Sequence, residues 1–143
     1  MVNQAYLARL ALPAMIRQGG GTYISLSSNA AVSPPPAPPG KGGWGFVYGA
    51  PKSGFHRIAE FIHVEHAKDG ILAFNVEPGF TVTEATVAMF GANSAAEFNR
   101  HATRPETTGD VIAWLATRPE ARSLSGTLIS SPDFFKSRGI VFP

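Results

Sequence analysis

The sequence has no cysteine, which excludes disulfides and any thiolate-ligated metal centre. Charge is sparse. Only 15% of the 143 residues are charged, and 12 basic against 10 acidic residues leave a formal charge of +2. So small and scattered an excess does not argue for a nucleic-acid surface. No apolar run reaches the roughly 18 residues of a membrane-spanning helix. The amphipathic opening stretch, residues 1–17, shows neither a basic leader nor a small-residue cleavage site, so no signal peptide is expected. What is present, 44% hydrophobic residues, suits one globular domain spanning 1–143 and a cytoplasmic setting.

Along the chain, apolar residues from Ala5 to Ile16 recur at helical spacing. Few charges interrupt them, so this helix is expected to be covered on more than one side. Pro13 should kink it or end its regular part. Gly19-Gly20-Gly21 then follows a helix and precedes a strand, the reverse of the order a phosphate-binding loop needs. Thr22 to Ser27 reads as a short buried strand that runs into Ser28. Residues 32–45 hold five prolines and several glycines, which make neither helix nor ladder. This is an insertion loop of extended conformation. Its Pro36 to Lys41 run also has the composition of an SH3-type ligand.

Ser53 to Lys68 is a second helix, apolar on nearly two faces, with Gly70 as its cap. Pro51 is tolerable there if it falls in the first turn. His63 and His66 lie three apart, and with no third ligand nearby they read as surface histidines. Ile71 to Val76 is the next strand, turned by Pro78-Gly79. Residues 84–101 suggest one or two short helices, a candidate lid with Met89, Phe90 and Phe98 as its apolar side. A further helix starts at Thr103 or Pro105, Thr127 to Ser130 is a last strand, and the tail from Phe134 is apolar enough to dock. Helices alternating with strands imply an α/β fold with a parallel sheet.

The chemistry concentrates at Tyr48-Gly49-Ala50-Pro51-Lys52. Residues four apart share one helix face. An ammonium held near a phenol favours the phenolate, and a helix N-terminus acts in the same direction. A phenol so tuned is a general acid/base. Ser28, at the carboxyl end of a strand, is where an open α/β sheet receives its ligand; it serves equally as a turn or capping serine. Thr81 and Thr83 stand at the corresponding end of the next strand.

Taken together, these segments resemble the C-terminal half to two-thirds of a classical short-chain dehydrogenase/reductase. The resemblance rests on Leu12-Pro13-Ala14-Met15, Gly20 to Ser28, Tyr48 to Ser53, Gly70-Ile71, Val76 to Thr83 and Leu124 to Thr127. It implies a partial Rossmann-like, doubly wound parallel sheet comprising the last three strands and their helices. It implies an oxidoreductase that uses NAD or NADP on a carbonyl or alcohol substrate. Tyr48 would exchange the proton, Lys52 would lower its pKa and bind the nicotinamide ribose, and Ser28 would hold the substrate oxygen. Tyr48, Lys52, Pro78, Gly79, Thr81 and Thr83 would line the cofactor. Helices 3–17 and 53–68 would form a homo-oligomer contact.

The departures from that pattern are as informative. No Gly-rich turn after a first strand is found to cradle a pyrophosphate, and the residue choosing NAD or NADP is absent with it. The family's helix asparagine is not carried over to Asn3. The Ser28-to-Tyr48 interval is lengthened by the proline loop, and Thr81 stands where an apolar residue is common. The first strand is expected to show an unpaired flank, and one sheet face to lack helices, leaving the chain alone marginal and its activity uncertain. Two other readings remain: a non-catalytic remnant that binds a partner, and a hydrolase built on Ser28, which lacks a Gly-x-Ser-x-Gly elbow and a placed histidine.

Overall fold

A computed structural model describes residues 2–90 and 102–140. Helix α1, Val2–Arg17, runs through Pro13 without ending there. The chain then closes with Gly19 N–H on the Ile16 carbonyl and Gly20 N–H on that of Met15. These glycine amides are consumed by the helix end, consistent with their rejection as a phosphate loop. Strand β1, Gly21–Leu26, follows, and Ser28 caps a short 3₁₀ turn at Asn29–Ala31.

Residues 32–45 form a loop of bends and turns with one bridge, Pro39 to Gly43. It folds on itself tightly enough that a Cβ on Gly43 would overlap the Ala37 carbonyl. Helix α2 spans Phe46–His66, starting earlier than the apolar pattern from Ser53 suggested. Gly45 is its N-cap residue. Pro51 therefore falls in the second turn, where its missing N–H leaves the helix ladder one bond short. After a 3₁₀ turn, Gly70 caps the helix at φ 79°, the left-handed conformation glycine adopts without strain.

Strand β2, Ile71–Glu77, is central and almost wholly buried. It pairs in parallel with β1, from Gly21–Ile71 to Leu26–Val76. On its other side it pairs in parallel with β3, Leu128–Ser130. The order is β1-β2-β3, so among the described residues β1 keeps one edge unpaired, as expected. Helix α3 is Glu84–Phe90 and α4 is Pro105–Thr117. The second half of the suggested lid, with Phe98, lies outside the described residues. The tail is a helix, α5, Ser131–Arg138, with Pro132 in its first turn and Gly139 as its left-handed cap.

Both faces of the sheet carry helices. Toward α4 and α5, Phe74, Val76, Val111, Leu115, Ala121, Ile129 and Ile140 form one core, with Trp114, Phe134 and Phe135 packed against it. Toward α1 and α2, Ala8, Ala59, Ile62, Ile71 and Ala73 form another. The expectation of a bare face is thus overturned, because α4 and the unforeseen α5 fold back over it. The expectation that α1 is covered on several sides also fails. Only Ala8 is buried, and Val2, Tyr6, Leu7 and Leu10 are 74%, 61%, 63% and 58% exposed. Phe61 and Val64 on α2 are likewise uncovered.

At the amino ends of the strands, Gly20 (φ 141°) and Gly70 lie back to back. A Cβ on Gly20 would stand 2.6 Å from the Gly70 carbonyl oxygen, and one on Gly70 would stand 2.7 Å from that of Gly19. Gly21 N–H donates to the Gly70 carbonyl at 3.3 Å just beside this contact.

Candidate active site

The carboxyl end of β1 and the first turns of α2 meet at Ser28, Tyr48 and Lys52. Ser28 leaves the strand in extended conformation, and its Oγ accepts the Ala30 N–H at 3.2 Å. The same oxygen accepts the Tyr48 hydroxyl at 3.3 Å. Ser28 is therefore both a capping serine and a partner of the tyrosine. One turn further along α2, Lys52 Nζ donates to the Leu26 carbonyl at 3.0 Å and to that of Ser27 at 3.4 Å. Its ammonium lies 5.9 Å from the Tyr48 ring centroid and 5.8 Å from that of Phe55, within cation–π range. Tyr48 is 49% exposed. Ser53 adds a brace from α2 to the turn, donating to the Ala31 carbonyl.

The loop after β2 holds the other predicted positions at the same end of the sheet. Gly79 takes φ 74°, and its N–H donates to Glu77 Oε2 at 3.0 Å. A Cβ there would stand 2.3 Å from Thr103 Oγ1, so both backbone shape and space call for glycine. The Pro78 carbonyl accepts from Thr108, and Thr81 Oγ1 donates to the Gly79 carbonyl, each at 3.5 Å. Thr83 borders an open cavity of about 550 Å³ with Val82, Glu84, Val87, Ala88 and Pro105. Ser28, Tyr48 and Lys52 are thus drawn into one cluster. Pro78, Gly79, Thr81 and Thr83 form a second group on the adjacent strand's loop.

Sequence reasoning missed a buried polar layer beneath α2. Ser25, Ser27, His56, Asn75 and Glu77 are all buried. Ser27 Oγ lies 2.7 Å from His56 Nδ1, and His56 Nε2 lies 3.2 Å from Glu60 Oε1. Arg57 shares the Glu60 carboxylate. Asn75 Nδ2 donates to the His56 carbonyl at 3.0 Å. The signal was present in spacing: His56 follows Lys52 by four and precedes Glu60 by four, all on one helix face. This Ser–His–Glu arrangement does not revive the hydrolase reading. It uses Ser27, not Ser28, and Ser27 at 2% exposure has no room for an acyl group.

The pKa of the Glu77 carboxyl lies above its ordinary value. Burial raises its pKa, the Gly79 N–H opposes the rise, and the charge of Asp133 adds to it. His63, read as a surface residue, is half-buried instead, with Nδ1 3.0 Å from Ser125 Oγ at the approach to β3. His66 pairs with Asp69 at 2.9 Å.

Comparison with known proteins bears on this geometry. The family model described as short chain dehydrogenase matches residues 4–93. The 7alpha-hydroxysteroid dehydrogenase of Bacteroides fragilis is 26% identical over 129 residues, which are 87% of this chain and 47% of that protein. The short chain dehydrogenase mpl6 of Monascus purpureus is 27% identical over 125 residues, 87% of this chain and 39% of that one. Among solved structures, a 7 alpha-hydroxysteroid dehydrogenase complexed with NADH and 7-oxo glycochenodeoxycholic acid is similar in fold, with a TM-score of 0.73 and 18% identity. That match covers 91% of this chain and 50% of the other. The chain therefore spans about half the length, or less, of the proteins it matches.

Proposed function

Because the chain belongs to the short chain dehydrogenase family, we propose that it carries the catalytic portion of an NAD(P)-dependent oxidoreductase acting on a carbonyl/alcohol pair. The observation that carries this reading is the Tyr48–Ser28 hydrogen bond, with Lys52 anchored one turn behind it. A substrate oxygen placed against both hydroxyls would be held by Ser28 Oγ. Tyr48 would give that oxygen a proton on reduction and take it back on oxidation. Lys52 is fixed by two carbonyls and lies beside the phenol ring.

A nicotinamide cofactor, where bound, supplies the hydride. The residues present suit its reactive end. Lys52 presents an ammonium beside Tyr48, while Pro78, Gly79, Thr81 and Thr83 sit on an adjacent loop that only glycine can turn at position 79. Among the described residues, no glycine-rich turn leads from a strand into a helix to hold the pyrophosphate. The NADH-bound neighbour supports a nicotinamide without deciding between NAD and NADP. We assign the loop at about 32–45 as an insertion that, with the segment after β2, shapes the substrate side.

A second reading has its own observation. The exposed apolar side chains of α1 and α2 border a groove of about 450 Å³ lined by Val2, Tyr6, Ile58 and Phe61, with Arg9 and Arg57 at its rim. Helices 3–17 and 53–68 would serve there as a contact between copies or with a relative. A non-catalytic, partner-binding module is the alternative function. No helix among the described residues is long and apolar enough to cross a membrane.

Binding of NADH and NADPH by the chain, followed by fluorescence, separates the readings, with turnover of small carbonyls and alcohols measured beside it. On the first reading, Tyr48→Phe should lose roughly 10²–10⁴ in rate and leave the nucleotide binding of the chain unchanged. A folded chain that binds neither nucleotide while associating through α1 and α2 favours the second reading.

A further inference from the structure

We infer that His56 is a positioning residue for Lys52, acting through Ser27; the inference rests on the reading of Lys52 given above. The Lys52 ammonium is held by the Leu26 and Ser27 carbonyls. Those carbonyls lie where β1 runs out. The last register pair is Leu26–Val76, and Ser27 N–H to the Val76 carbonyl, 2.8 Å, is the final backbone bond to β2. β1 is an edge strand among the described residues, so no second strand steadies this end.

Side chains take over that task. Ser27 Oγ is bound to His56 Nδ1, and His56 stands one helical turn beyond Lys52. One helix therefore grips one residue at two points, Lys52 by its carbonyl and His56 by its hydroxyl. In the tautomer that donates Nε2–H to the Glu60 carboxylate, Nδ1 accepts the Ser27 O–H. Both ring nitrogens are then satisfied inside the protein, and Asn75 holds the His56 backbone against β2. Nearby, Ser25 Oγ and Asn75 Oδ1 have no protein partner. The layer's bonds are concentrated on Ser27, the residue whose carbonyl receives the lysine. Burial of Ser27 and His56, 2% and 5% exposed, keeps both from touching a substrate.

Amine acetylation of the chain, read by mass spectrometry at Lys41, Lys52, Lys68 and Lys136, tests this. Those are all the lysines, and only Lys52 is half-buried. In His56→Leu the Lys52 rate should rise roughly two- to tenfold, the loss of about one net hydrogen bond, while the other three hold. His56→Asn, whose amide reaches where Nδ1 stood, should restore most of the protection. Ser27→Ala, a smaller change, should reproduce His56→Leu, and the double variant should add nothing to either. An unchanged Lys52 in Ser27→Ala, or a uniform rise at all four lysines in both single variants, overturns the proposal. The readout needs neither cofactor nor turnover. Selective labelling in a chain that never turns over would reject the oxidoreductase reading and leave the positioning role standing.

Discussion

The two faces of the sheet are built from different materials. Toward α4 and α5 the interior is mainly apolar, with Phe74, Val76, Val111 and Leu115 at 0–1% exposure, and Thr108 and Ser131 are the buried polar residues of those two helices. Toward α2 it divides. An apolar patch of Ala59, Ile62, Ile71 and Ala73 lies near the amino ends of the strands. Near the carboxyl ends lie Ser25, Ser27, His56, Asn75 and Glu77. Side chains alternate across a strand, so Asn75 and Glu77 share a face with Ile71 and Ala73, while Leu72, Phe74 and Val76 take the other. Buried polar groups cost stability unless fully bonded, and here two are not. One face therefore supplies folding free energy, and the other spends part of it on placing Ser28, Tyr48 and Lys52.

Substitutions on each face should separate these roles. The largest effect is expected on the apolar side. Phe74→Ala should destabilise the chain by about 3–5 kcal/mol in chemical denaturation, enough to threaten folding outright. Glu77→Gln should act through pH. Burial raises the Glu77 pKa above its usual 4.5. Between 4.5 and that raised value the folded chain keeps a proton the unfolded chain has released, so stability falls as pH rises. Urea midpoints measured across this window should decline in the wild type and flatten in Glu77→Gln, where the amide oxygen can still accept the Gly79 N–H. A parallel decline in both chains would remove Glu77 from the account. The smallest effect belongs to Ser25→Ala. Its hydroxyl is buried without a protein partner, so stability should change by no more than about 1 kcal/mol, toward stabilisation. A loss well beyond that would mean the polar layer contributes to folding after all.

Legibility in the sequence followed the range of the interaction. Ser28, Tyr48 and Lys52 could be named because their chemistry is local: a strand end, a helix start and a four-residue spacing. The α/β order and the parallel sheet were readable from alternating periodicities, and the unpaired edge of β1 from the segments it resembles. His56 was passed over in favour of His63 and His66, because helix phase matters only once the sheet beneath is known. That phase turns His56 inward onto Ser27, 29 positions away. α5 escaped notice because its start signal, Ser130-Ser131-Pro132-Asp133, was read as a strand end and a tail. Ser130 is the N-cap residue of α5 without a side-chain capping bond, and its Oγ donates to Asp133 Oδ2 at 2.6 Å.

The Gly20–Gly70 contact lies at the opposite end of the sheet from the Ser28, Tyr48 and Lys52 cluster. It is nonetheless the zero mark from which both strands are counted. Six residues of β1 and β2 run in step from this point before Ser27 and Glu77 are reached. A side chain at either glycine has nowhere to go but against backbone, so the strands would have to slide or part. A slip of one residue displaces a strand by about 3.3 Å and exchanges its two faces. Ser28 would then no longer stand level with Pro78, and the Ser27 hydroxyl would turn from α2 toward the apolar side. Two residues without side chains, remote from any chemistry, thus calibrate the site at the far end of the sheet.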